Sequence, residues 1–215
     1  MPTTIYDREA EQYDAWYESP KGRAIFGEEL AALQPLFDDV AGSRLEVGVG
    51  GGRFAAALSA GVGIDPAMGA LRLAAQRSIK AVAARGEQLP FSDASFDGVL
   101  FMVTLCFITD PLAALREARR VLRRGGRLVI GYLPADGPWG RFYLAQAAAG
   151  HPYYREAHFF TRDELRSLLA AAGFRPIRIR SALRWPPDAD VPVMGVREGD
   201  DPMAGFLALL AAPSP

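Results

Sequence analysis

Cysteine occurs once in the 215 residues, at Cys106, and histidine twice, at His151 and His158. One thiol excludes an intrachain disulfide framework and any zinc site built on several thiolates. No metal site is expected. Lysine is almost missing: Lys21 and Lys80 are the only two, and arginine supplies the other cations. That bias, with alanine runs such as Ala55-Ala56-Ala57, reads as coding bias before function. Neither charge sign is in excess. The 24 Lys+Arg and 25 Asp+Glu leave a net charge of −1. The count therefore gives no support to bulk nucleic-acid binding, although a local basic patch stays open. No apolar run is long enough to span a bilayer: 100–108 is broken by Thr104, and 203–213 is short. The start, Met1-Pro2-Thr3-Thr4-Ile5, has neither basic residues nor an apolar h-region, so no signal peptide is expected. The expectation is a cytoplasmic protein with no membrane and no nucleic-acid partner.

What the chain has in quantity is apolar side chains. Half its residues are hydrophobic, enough for a sizeable core in one domain. Residues 7–39 read as helical, with Tyr13, Trp16 and Tyr17 at helical spacing and a break at Ser19-Pro20-Lys21-Gly22. Short apolar strands are then expected at 44–48, 61–65, 79–84, 96–103 and 127–132. Helices are expected at 52–60, at 66–76 and from Asp110-Pro111, ending at Gly125-Gly126. A short helix is expected over 141–149. Thr161-Arg162-Asp163-Glu164 is a capping box, and Gly173 caps the far end of the helix it opens. The segments 175–181 and 205–211 read as a closing antiparallel pair. The alternation predicts an α/β fold: a doubly wound, mostly parallel sheet covered on both faces. One domain over 1–215 is expected. It divides into a helical cap (7–39), a core (40–132), a lid or insert (133–160) and a closing helix and strands (161–215).

The strongest local signal is Glu46-Val47-Gly48-Val49-Gly50-Gly51-Gly52 after the first strand. Glycines at a strand-to-helix turn let the backbone approach a ligand, and the amides that open the next helix favour negative charge. A dinucleotide fingerprint needs a third glycine where Arg53 stands. The pattern present instead fits a ligand with a carboxylate and an ammonium, with Glu46 serving the ammonium. Asp65 ends the second strand, where an acid can accept from both hydroxyls of a ribose, although Asp65-Pro66 is also a good helix cap.

These residues resemble the class I S-adenosylmethionine-dependent methyltransferases, in particular the small "type 11" methyltransferase-domain proteins, over 44–132. Glu46, Gly48, Gly50 and Gly52 are similar to that family's cofactor loop. Gly63-Ile64-Asp65-Pro66 is similar to its ribose-binding strand end, with Met68 as the apolar neighbour. Gly86-Glu87-Gln88-Leu89, before Ser95-Phe96-Asp97, is similar to its adenine loop. Glu117 to Gly126 is similar to its fourth helix leading into the fifth strand. The resemblance implies a Rossmann-like sheet of seven strands with an antiparallel C-terminal strand and an N-terminal helical cap. It also implies S-adenosylmethionine as cofactor and S-adenosylhomocysteine as product. Val103 and Thr104, after the fourth strand, are implied to border the cofactor. Tyr13, Trp16 and Tyr17 either close over its methionine end or pack the cap on the sheet.

Two departures from the family stand out. Arg85 occupies the position where relatives often carry an aspartate for the adenine amino group, and a guanidinium cannot accept a hydrogen bond. Cys106 stands where relatives often show histidine, so no base role transfers there. Methyl transfer is an in-line displacement that needs alignment and exclusion of water, and a base only for a protonated nucleophile. The catalytic group is left unassigned, with His158 as a weak candidate and His151 a weaker one. The aromatics of 133–160 suggest a hydrophobic or planar small-molecule acceptor, or simply pack the lid. A single thiol also argues against multi-thiol chemistry such as arsenite methylation. The alternatives are a cofactor-binding protein without catalysis, and an NAD-dependent oxidoreductase, which the broken third glycine and the lack of a Tyr-x-x-x-Lys pair disfavour. A monomer or homodimer is expected.

Overall fold

The computed structural model describes residues 4–38, 40–189 and 195–214. Met1 to Thr3, on which the signal-peptide reading partly rests, and Asp39, the last residue of the expected cap, lie outside the described residues, as do 190–194 and Pro215 of the closing segment.

Three helices come first: α1 (Ile5–Arg8), α2 (Ala10–Trp16) and α3 (Pro20–Phe37). The break expected at Ser19-Pro20 is also a helix start. The Gly22 amide donates to Ser19 Oγ at 3.0 Å, and Pro20 sits in the first turn, where its missing N–H costs nothing. Then follow β1 (Arg44–Val47), α4 (Arg53–Ala57), β2 (Val62–Asp65), α5 (Met68–Gln76), β3 (Lys80–Ala83), β4 (Phe96–Met102), α6 (Pro111–Val121) and β5 (Leu122–Tyr132). The chain closes with α7 (Pro138–Ala148), α8 (Arg162–Ala171), β6 (Phe174–Ala182), β7 (Arg197–Glu198) and β8 (Phe206–Pro213).

The strands form one sheet in the order β3-β2-β1-β4-β5-β8-β6-β7. The first five are mutually parallel, and β8 runs antiparallel between β5 and β6. Helices cover both faces because the strands alternate apolar residues to both sides. Along β4, Leu100 and Met102 join the cluster under α3 and α4, while Val99 and Phe101 join the cluster under α6 and α8.

Three expectations are corrected. The sheet has eight strands rather than seven. The extra one, β7, is two residues long and is held at the edge by Arg178 and Arg180 on Glu198 rather than by apolar burial. The helix α6 stops at Val121, not at Gly125-Gly126, because Leu122 already pairs with Phe96 in the sheet. The register then jumps to Gly98 and Arg127, and the two glycines turn inside the strand, Gly125 at φ +84°. The helix after the glycine turn is also shorter than 52–60, since Ser59 takes φ +56° and ends it.

Candidate functional site

The sheet order reverses at β1, which has β2 on one side and β4 on the other. In open α/β sheets a crevice lies outside the strand ends at such a point. Here it holds a cavity of about 210 Å³. Glu46, Gly48 to Gly51, Arg53, Asp65, Pro66 and the segment Met102 to Thr104 contribute to its floor and sides.

The glycine turn is shaped by three left-handed residues: Gly48 at φ +73°, Gly50 at +51° and Gly52 at +80°. A Cβ on Gly48 would lie 2.2 Å from Thr104 Cγ2, so the segment just after β4 and the turn touch there. A Cβ on Gly50 would meet nothing within 4 Å, so this glycine borders open space. The Asp65 carboxylate braces the turn. Gly50 N–H donates to its Oδ2 at 3.0 Å and Ala67 N–H to its Oδ1 at 2.8 Å. Burial raises its pKa, the two amides pull it down, and Asp7 adds repulsion. A carboxylate has about four acceptor sites, so the two amides leave others open.

Glu46 is 2% exposed, and its Oε2 has no hydrogen-bond partner among the described residues. Burial drives its pKa far above the carboxylate range, against the pull of the Ala55 amide and with a push from Asp65. An orphaned carboxyl oxygen beside a glycine cradle is what a ligand's ammonium would complete.

The roof is the N-terminal cap. Tyr6, Ala10, Tyr13, Asp14 and Tyr17 line the same cavity. The cap is clamped by ions. Arg53 Nε and Nη2 donate to Asp14 Oδ1 and Oδ2 at 2.9 and 2.8 Å, Arg53 Nη1 to Glu18 at 2.7 Å, and Arg77 Nη2 to Asp14 Oδ2 at 2.8 Å. Arg53, which breaks the dinucleotide fingerprint, is thus the residue that pins the cap. The sequence did not single out Asp14 and Arg53 as site residues, because their partners lie in another element.

A second cavity, of about 420 Å³, shares Tyr13, Tyr17, Val103 and Phe107 with the first. Its other walls come from α3, α7 and the insert. Trp16 lines this second cavity and not the first; Tyr13 lines both.

Glu46, Gly48, Gly50, Asp65, Pro66, Val103 and Thr104 come together in the first cavity. Gly52 instead caps α4 and packs on Ala74. Met68 is 54% exposed and outside both cavities. Gly86, Glu87, Gln88 and Leu89 also lie outside them. Gly86 packs toward Ile108 and Val47, Leu89 is buried with its amide on Glu117, Gln88 bridges to Arg85, and Glu87 pairs with the Arg85 guanidinium at 3.2 Å. Tyr6 and Phe107, with ring centroids 5.5 Å apart, and Ile108 also line the first cavity. His158 reaches neither cavity: its amide donates to Cys106 O at 2.7 Å and its ring packs edge-on to Phe160. His151 does line the second cavity, stacked on Tyr154. Cys106 is buried and its thiol is pushed up to about 12 by burial, which leaves no thiolate at neutral pH. Among the described residues no cluster could hold a metal ion. No helix there is long and apolar enough to cross a membrane.

Comparison with known proteins gives consistent findings. A family described as "Methyltransferase domain" matches residues 45–130. An uncharacterized protein of Mycobacterium tuberculosis is 48% identical over 205 residues, covering 95% of this chain and 72% of that one. An uncharacterized protein of Methanocaldococcus jannaschii is 33% identical over 207 residues, covering 96% and 98%. A crystal structure from Thermotoga maritima, described as a SAM-dependent methyltransferase and possible histamine N-methyltransferase, superposes with a TM-score of 0.86 at 30% identity, covering 97% of each chain.

Proposed function

The chain belongs to the S-adenosylmethionine-dependent methyltransferase-domain family, and on that premise we propose that it transfers a methyl group from S-adenosylmethionine to a small-molecule acceptor. The observation that carries the cofactor part is Glu46 Oε2, buried and without a partner beside the open side of Gly50. The site suits a molecule that brings a cation to one end, hydroxyls to the middle and a flat apolar group to the other end.

Bound S-adenosylmethionine supplies an electrophilic methyl on a sulfonium. Glu46 would take the ammonium, and the glycine turn the carboxylate. Asp65 would accept from the ribose hydroxyls. Tyr6, Phe107 and Ile108 would surround the adenine. The faces of Tyr13 and Tyr17 favour a cation at the boundary between the two cavities. The acceptor would sit in the second cavity, whose shared wall puts it next to the first. The clamped cap would keep water out and hold the two reactants in line.

Thermal melts decide this reading. S-adenosylmethionine and S-adenosylhomocysteine should each raise the Tm by linkage, and NAD(H) should not. The Glu46→Gln protein should bind S-adenosylhomocysteine at least about tenfold more weakly in calorimetry. A shift with NAD(H) alone would overturn the assignment.

A further inference from the structure

Glu29 lies on α3, 4% exposed, and lines the second cavity. No hydrogen bond or ion pair holds its carboxyl among the described residues. Its neighbour Glu28 is spoken for, accepting from the Leu183 amide at 2.9 Å on the closing side of the helix. Consecutive helical residues point about 100° apart, so the two acids serve different faces. The groups facing Glu29 are neutral or acidic. Tyr13 of α2, Tyr17 just after it and Tyr143 of α7 feel its charge, and Glu28 repels it. His151, Tyr153 and Tyr154 of the insert complete the titratable groups of the cavity. His151 Nδ1 is turned to the Tyr153 amide at 3.4 Å. Among the described residues no lysine or arginine lines this cavity, in a chain rich in arginine.

A buried acid left without a partner, inside a box of aromatic rings, suits one ligand chemistry above others. An anionic acceptor would meet no counter-ion and an acid that burial already keeps from ionising. A neutral alcohol or phenol would gain one hydrogen bond. A protonated amine would gain the carboxylate and the ring faces together. Resting on the methyl-transfer reading above, we propose that the second cavity takes a small amine, and that Glu29 both recognises it and accepts its proton.

The balance is simple. An ammonium has no lone pair to attack with. On binding, the ammonium displaces the Glu29 proton to solvent. The ammonium's own proton then passes to the freed Glu29 oxygen, and the nitrogen keeps the electron pair. That pair forms the new N–CH3 bond while the C–S bond breaks onto sulfur. The methylated nitrogen carries the positive charge away, and Glu29 is left protonated as at the start. Burial and Glu28 push the Glu29 pKa up to about 8, so the carboxyl can take and release a proton near neutrality.

The test is titration calorimetry at pH 7 in buffers of different ionisation enthalpy, with and without S-adenosylhomocysteine. The probes are propylamine, 2-phenylethylamine and tryptamine, with 2-phenylethanol and phenylacetate as isosteres. At least one amine should bind, about tenfold or more tighter than its isosteres, and release about one proton. Glu29→Gln should lose both the preference and the proton release while keeping its affinity for S-adenosylhomocysteine, which shows that the variant is folded. Glu29→Asp should recover part of the proton release. The proposal falls if an isostere binds as well as the amines, or if no amine binds while S-adenosylhomocysteine does. It also falls if His151→Gln, and not Glu29→Gln, removes the proton release. Failure of S-adenosylhomocysteine to bind would count against the methyl-transfer reading alone, and the amine titrations without it would still decide the role of Glu29.

Discussion

Two buried acids and one glycine carry the most at the scale of single residues. Glu29 and Glu46 both have folded pKa values above the ordinary 4.5, Glu29 reaching about 8. A group raised on folding stabilises the protein fully below its unfolded pKa, and that stability is lost as pH rises toward its folded pKa. The Glu29 contribution should therefore fall between pH 4.5 and about 8, and Glu29→Gln should flatten that slope in urea melts across the range. A variant as steep as the wild type would mean that Glu29 is already satisfied. Gly48→Ala should cost about 1–2 kcal/mol from its left-handed backbone alone, more from its overlap with Thr104, and should weaken cofactor binding in the same melts with ligand. Glu46 and Gly48 were legible in the sequence because a contiguous motif fixes their roles. Glu29 was not. It sits in an amphipathic helix beside a second glutamate, and only the folded chain shows which of the two faces a cavity.

Whole elements were legible where a local rule governs them and were missed where pairing across the sheet overrides it. Thr161 Oγ1 accepts from the Glu164 amide at 3.2 Å, and Glu164 Oε2 accepts from the Thr161 amide at 2.7 Å, as the capping box implied. Thr161→Ala should cost about 1 kcal/mol in a denaturant melt, with hydrogen exchange speeding up at the start of α8 and not in β1. The same kind of rule failed at Gly125-Gly126. A helix stop was expected there, but pairing of Leu122 with Phe96 ends α6 four residues earlier and puts the glycines into a bulged strand. The two-residue β7 has no apolar alternation to read, because Arg178 and Arg180 on Glu198 hold it. Burial patterns predict strands that feed a core, and an ionic edge strand feeds none.

The architecture of the whole molecule is a sheet with a roof made from two distant parts of the chain. The cap and the insert meet over the strand ends, where Tyr6 Oη donates to Tyr153 O at 2.9 Å and Tyr153 Oη to Glu9 at 2.5 Å. The cap also docks on α5, where a Cβ on Gly69 would stand 2.2 Å from Asp7 O. Its short helices α1 and α2 bury few residues of their own, only Ala10 between them, so polar contacts must hold them down. Asp14 is the hub. Its carboxyl is opposed by burial, but the hydrogen bonds and charges of Arg53 and Arg77 win and hold its pKa below the ordinary carboxylate range. A carboxylate lowered on folding contributes stability above its unfolded pKa of 3.8 and loses it as pH falls through the folded value. The cap should thus open in acid before the sheet melts. Asp14→Asn should mimic that opening at neutral pH by weakening charge-assisted bonds worth about 2 kcal/mol. Amides of α2 should then exchange about thirtyfold faster, with β4 and β5 unchanged. On the proposed cofactor site, S-adenosylhomocysteine should dissociate faster from the variant in stopped-flow measurements. Equal exchange in α2 and β4 would mean that the cap belongs to the global fold and does not open separately.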